Sequence, residues 1–419
     1  LRPTTFPCNV LQSARPPGTC ILESSWMSPE QAKRCARTVA PITYSRAKRR
    51  KGIETARHIT SLALLIHAMP TLSPSSSAML RALVVAPAWI GDAVMAQPLF
   101  MRLHDRFPGL QIDALAAPWV APVLRRMPEI AEIIDNPFAH GELAFRHRYR
   151  LARELSSRGY DAAYILPNSL KSALIPWLAG IPRRIGFTGE ARYGLLNQRH
   201  TLDRERLPRM VERFAQLAEA PEQALSLPLP DPKLDSTLAQ QDETLAALAL
   251  ARPGKIAVFC PGAEYGPAKR WPARHFATLA DLLDERGYAI WLLGSAKDRA
   301  IGEDIIGLSR SAPHNLCGRT SLAQAIDLIA MTDFVVCNDS GLMHVAAALG
   351  RPLVALYGSS SPGFTPPLSK HAQIISLGLA CSPCFKRDCP LGHFDCLNQI
   401  APQQVLAACL NASLTEAKP

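Results

Sequence analysis

A chain of 419 residues, 48% hydrophobic and 19% charged, has room for two domains of ordinary size and the composition of a globular protein. No apolar run reaches the ~20 residues a bilayer-spanning helix needs. The net charge is +11, but residues 1–78 hold 11 Lys and Arg against 3 Asp and Glu, a local +8 that leaves only +3 elsewhere, so a nucleic-acid reading would rest on that N-terminal excess alone.

Residues 1–78 are rich in Pro, Ser, Thr and Arg, include the basic run 48–51, and lack a sustained amphipathic period. They read as a disordered extension, and as upstream sequence ahead of a start at Met79. A signal peptide built on the apolar segment 61–68 is the rival, but its basic region would be far too long, and the chain from Met79 onward reads as cytoplasmic.

From Met79 the chain alternates short apolar runs with helical spacing. Residues 80–86 read as a strand buried on both faces of a parallel sheet. The turn after it carries Trp89, Gly91 and one carboxylate, Asp92, and no G-x-G-x-x-G fingerprint. Strands are expected at 111–116, 130–134 and 161–166, and helices at 93–103, 120–127 and 146–158. The segments 179–187 and 189–197 read as basic, aromatic-bearing loops, 202–224 as helix, and 225–235 as a Pro-rich connection. A further helix runs to Ala251, and the breaker at 251–254 marks the domain boundary.

The second half repeats this grammar. A strand at 255–260 ends in a Gly- and Pro-bearing loop, Gly262 to Arg270, whose backbone N–H groups with Lys269 and Arg270 suit a diphosphate. A helix over 273–285 and a strand over 289–293 come next. Residues 334–337 are a strand, broken at Asn338, Asp339, Ser340 and Gly341 before helical spacing resumes through His344. A strand-to-helix turn of this kind aims free N–H groups and a positive helix end at an anion. The bland alternative makes Asp339 and Ser340 a helix N-cap pair. These features predict an α/β protein of two doubly wound domains facing across a cleft, with an extension at 1–78, domains at 79–250 and 251–410, and a tail at 411–419.

Four of the eleven cysteines, Cys381, Cys384, Cys389 and Cys396, form C-x2-C-x4-C-x6-C around His393. That spacing is open to zinc, disulfides or thiols. The reading favours reduced thiols or a local clasp over zinc, and leaves the metal unknown.

The segments Trp89 to Asp92, Pro167 to Ser169 with Lys171, Arg192 to Asn197, Pro261 to Glu264 with Lys269 to Pro272, and Asn338 to His344 together resemble glycosyltransferase family 9 over residues 79–410. The resemblance implies a GT-B fold of two Rossmann-like domains, the acceptor mainly on the first and the nucleotide sugar on the second, with a C-terminal helix often returning to the first. It implies transfer of heptose from ADP-heptose, with inversion, onto Kdo-lipid A that already carries one heptose, at the cytoplasmic face of the inner membrane of a Gram-negative bacterium. Asp92 then matches the general base and Lys269 the diphosphate contact. Gly262, Arg270, Ser340 and Gly341 fall to phosphate binding, and Asp339 to sugar hydroxyls, with His344 one helical turn in. Lys171, Arg192, Arg183 and Arg184 would meet acceptor carboxylates or phosphates. No cofactor is expected beyond the donor, and peripheral membrane contact is. Rivals are a family member adding the first or third heptose, and a non-catalytic nucleotide-sugar-binding scaffold.

Overall fold

The structure is a computed structural model that describes residues 80–138 and 143–416. The extension predicted at 1–78 lies outside the described residues. Among the described residues twelve strands form two sheets. The first contains β1 (Arg81–Val85), β2 (Gln111–Ala116), β3 (Ile130–Asp135), β4 (Ala162–Ile165), β5 (Arg183–Phe187) and β6 (Gln198–His200) in the order β3-β2-β1-β4-β5-β6. The second contains β7 (Ile256–Cys260), β8 (Ala289–Leu292), β9 (His314–Asn315), β10 (Phe334–Asn338), β11 (Leu353–Tyr357) and β12 (Ala372–Ser376) in the order β12-β11-β10-β7-β8-β9. All pairings are parallel. Read from opposite edges, the two orders are the same doubly wound pattern.

Each sheet reverses its winding between two central strands, β1 and β4 in the first and β7 and β10 in the second. Val85 stands level with Ile165, and Cys337 with Cys260. The loops leaving such strands diverge to opposite faces and open a crevice at the carboxyl edge, where ligands of open α/β sheets bind. Buried side chains fill every position of β7, β10 and β11, as continuous apolar strands covered on both faces require.

Three sequence expectations change. Residues 183–187 form strand β5, not a loop: Ile185 and Phe187 are buried and the run pairs with β4 despite its two leading arginines. The helix expected over 202–224 contracts to Met210–Gln216, because Pro208 blocks an earlier start. The C-terminal helix Pro402–Glu416 packs on β10, β11, β12 and the helix Ala273–Asp284, all in the second domain. Its buried Val405, Leu406 and Cys409 join the apolar cluster of Phe259, Trp271 and Leu356 there.

The two domains share an apolar core. One continuous cluster runs from Val84 and Leu99 to Val335 and Val345. The helix Leu238–Ala247 lies against Leu322–Ala330 of the second domain. At that seam Asp327, 4% exposed at its side chain, pairs with Arg126 at 2.8 Å and accepts from Ser236 Oγ at 2.8 Å and Thr244 Oγ1 at 3.0 Å. Removing one partner of a buried ion pair leaves the other charge uncompensated. Asp327→Ala is expected to cost about 3–5 kcal/mol in urea unfolding; a loss below about 1 kcal/mol would mean the seam is solvated.

Candidate active site

The first domain contributes one short helix. Trp89 ends the turn after β1 in extended backbone, and Ile90–Met95 comes directly after it, placing Asp92 in the first helical turn at the switch point. Trp89 caps this helix without a side-chain bond, so Asp92 is not its N-cap. The second domain contributes Gly341–Ala348, which starts at the other switch point, after β10.

These two helices meet closely. A Cβ on Gly341 would stand 2.9 Å from Ile90 Cβ, and one on Gly91 would stand 2.7 Å from His344 Cδ2. Glycine at both positions lets the helices approach, and the approach sets Asp92 beside groups of the other domain.

Those groups are Lys269 and Asp339. Lys269 Nζ bonds Asp339 Oδ2 at 2.5 Å, with side chains 18% and 6% exposed. Burial pushes the Asp92 carboxyl up to about 6, with Lys269 pulling it down and Asp339 pushing it up. A carboxylate from one domain therefore titrates in the field of an ion pair from the other. Values near the working pH are what a general base needs.

Ser340 occupies the N-cap position of Gly341–Ala348, yet its hydroxyl makes no capping bond. The N-cap reading of Asp339 and Ser340 fails on that point, since Asp339 is engaged by Lys269. The first-turn N–H groups of this helix face the switch point, the arrangement that receives phosphate.

Sequence reasoning missed Asn338. Its Nδ2 donates to Pro261 O at 2.7 Å, and its Oδ1 accepts from Trp271 N at 3.0 Å. One buried amide thus ties β10 to both ends of the loop bearing Lys269. Trp271, fully buried, adds Nε1 to Ile400 O at 3.0 Å. The available signal was an Asn ending an otherwise apolar strand, where a buried amide needs partners.

The remaining predicted residues divide. A Cβ on Gly262 would meet the Asp298 carboxylate at 2.3 Å, so this glycine admits a neighbouring loop closed by Asp298 onto Ser295 N and Oγ. Arg270 reaches Ala263 O at 3.4 Å and Asp298 Oδ1 at 3.8 Å, and its Nε has no partner. His344 is buried, and desolvation holds its imidazole down to about 4, Asp339 opposing and Lys269 adding. It packs against Gly91 at the domain junction.

Arg192 is a correction. It is 1% exposed, and its guanidinium donates to Phe187 O, Pro167 O and Asn168 Oδ1, so it clamps the loops after β4 and β5 and offers nothing to an anionic acceptor. A guanidinium whose fork is filled in this way has no donors left for a ligand. Arg184 gives Nε to Leu195 O and Nη1 to Ile181 O, and Arg183 gives Nε to Asp161 O, which leaves each with further N–H donors. Lys171 lies half-buried in the first turn of Leu170–Leu178, at the carboxyl edge of the first sheet. Among the described residues no group of three or more His, Cys, Asp or Glu side chains is drawn together to hold a metal ion.

Two doubly wound domains, with a carboxylate at one switch point and a lysine and an uncapped helix at the other, have the architecture of the GT-B fold. Residues 148–395 match Glycosyltransferase family 9 (heptosyltransferase). The chain is 46% identical over 346 residues to lipopolysaccharide heptosyltransferase 2 of Escherichia coli, covering 80% of this chain and 99% of that protein. It is 46% identical over 311 residues to lipooligosaccharide heptosyltransferase 2 of Haemophilus influenzae, covering 70% and 88%. The solved structure of E. coli ADP-heptose LPS heptosyltransferase II superposes with a TM-score of 0.73 at 44% identity, covering 80% of this chain and 99% of that one. The chain belongs to glycosyltransferase family 9, the heptosyltransferases.

Proposed function

We propose that this chain transfers heptose from ADP-heptose, with inversion, to the first heptose of a Kdo-lipid A inner core. The observation that carries the chemistry is Asp92, a carboxyl raised to about 6 in the field of the Lys269–Asp339 pair across the domain junction. Asp92 removes the proton of the attacking hydroxyl as that oxygen meets the anomeric carbon. The bond to ADP breaks on the opposite face, which inverts the centre in one displacement. Lys269 and the N–H groups at the start of Gly341–Ala348 take the charge that develops on the leaving diphosphate. Asp339 holds Lys269 in place before the donor arrives and turns to sugar hydroxyls as the lysine turns to phosphate. In this reading the lysine and the helix end carry the leaving-group charge, and no added cofactor takes part.

The acceptor is the finer part of the reading, and the likeness to heptosyltransferase 2 enzymes supports it. The test is transfer from ADP-heptose to Kdo-lipid A bearing no heptose or one heptose, with divalent cation supplied or withheld. Addition only to the one-heptose acceptor, indifferent to the cation, is expected. Transfer to the heptose-free acceptor would make this a first-heptose enzyme.

No helix among the described residues is long and apolar enough to cross a membrane. The helix Phe145–Ser156 offers a surface contact instead. Its buried face is Arg148, Ala152 and Leu155, while Phe145 and Tyr149 are exposed beside Arg146, Arg150 and Arg153. Aromatic and basic side chains interleaved on one face suit an anionic lipid surface. Wild-type protein is expected to float with anionic vesicles at low salt and to lose most of that binding as R146E/R150E. Equal flotation of the two would remove this face from consideration.

A further inference from the structure

The tertiary structure gathers the four spaced cysteines around one point of the second domain. Cys381, Cys384, Cys389 and Cys396 line a single small cavity of about 20 Å³, together with Ser359, Ala268 and the segment Pro390 to Phe394. None of the four is in a disulfide. A space of that size admits one water-sized or ion-sized occupant and no organic ligand.

One further observation points to a cation. The Ser359 hydroxyl is buried in the cavity wall and has no hydrogen-bond partner. An orphaned buried hydroxyl is costly unless an acceptor completes it, and a metal-bound thiolate is such an acceptor. Phe385 and Phe394 lie in left-handed backbone just after Cys384 and before Cys396. As they stand, the thiols line the cavity without being drawn together as a ligand set, so loading requires side-chain rotation to sulfur–metal distances of about 2.3 Å.

We infer that Cys381, Cys384, Cys389 and Cys396 form a tetrathiolate site for one thiophilic divalent metal ion, zinc or ferrous iron, with a structural role. Four sulfur ligands leave no open coordination position, as in structural rather than catalytic centres. Binding releases the thiol protons to solvent.

The site stabilises the turn that carries Lys269. Ala268 N donates to Arg387 O at 3.0 Å, Arg387 Nε to Tyr265 O at 2.7 Å, Tyr265 OH to Phe385 O at 2.8 Å, and Phe385 N to Ser359 O at 2.7 Å. A Cβ on Gly266 would stand 2.5 Å from Arg387 O, so the cysteine loop and the lysine loop are pressed together. A metal that closes the first loop fixes the second.

The inference does not depend on the acceptor or on transfer activity. The full chain, purified without chelator, is analysed for metal by plasma mass spectrometry. About one zinc or iron per chain is expected, released when an organomercurial titrates the thiols. Cys389→Ser and Cys396→Ser lose it, whereas His393→Ala, whose Nδ1 instead accepts from Asp395 N, retains it. Because a cysteine variant could fail to fold, wild-type protein stripped and reloaded with Co²⁺ provides a second reading, an intense thiolate-to-cobalt charge-transfer band. A metal-free chain that gives no such band, or full metal retention in both cysteine variants, overturns the site.

Discussion

Asp92→Asn is expected to lower kcat/KM by about 10²–10⁴-fold, the usual worth of a positioned general base, while ADP-heptose still binds. The wild-type pH profile should carry an ascending limb near 6, where the raised carboxyl ionises, and the Asn variant should lose that limb. Stability should move the other way. The folded value lies above the ordinary 3.8, so the native state holds the proton longer than the unfolded chain. Asp92's favourable contribution is complete below 3.8 and is lost as pH rises through 6. Asn escapes that loss, and D92N should melt higher than wild type at pH 7 and together with it near pH 3.5. A variant equally inactive but less stable at pH 7 would make Asp92 structural.

Lys269→Ala is expected to reduce kcat by about 10²–10³-fold, the range for removing one preorganised group that stabilises transition-state charge. It also strands Asp339, 6% exposed, without its counter-ion, a loss of about 3 kcal/mol by the usual cost of breaking a buried pair. The double variant K269A/D339N removes both charges and should recover most of the stability but none of the rate. Lys269 also pulls the Asp92 carboxyl down, so in K269A the activity limb should shift above 6. That displacement separates an electrostatic partner of the base from a lysine that only shapes the loop, for which the limb would stay in place.

The positions of the candidate residues were largely legible because they are set locally. Asp92, Lys269 and Ser340 each come after a short apolar run that could only be a buried strand, and the turn after such a strand opens at the sheet's carboxyl edge. Arg192 was misread because a basic loop residue looks the same in sequence whether its guanidinium meets solvent or carbonyls. That its donors are satisfied by the loops after β4 and β5 is a tertiary fact. Strand β5 was hidden for a related reason, since Arg183 and Arg184 lead a run whose strand character comes from pairing with β4.

By itself the sequence determined two doubly wound domains and the switch-point turns that carry Asp92 and Lys269, since buried parallel strands and Gly-bearing turns are written in nearest neighbours. Only the tertiary structure decided that Asp92 feels Lys269 and Asp339 from the other domain. Only it gathered four cysteines and an orphaned serine hydroxyl around one cavity behind the lysine loop. Both depend on close approach between segments distant in the chain, made by glycines at 91 and 341 in the first case and 266 in the second, and no local pattern records what those glycines face.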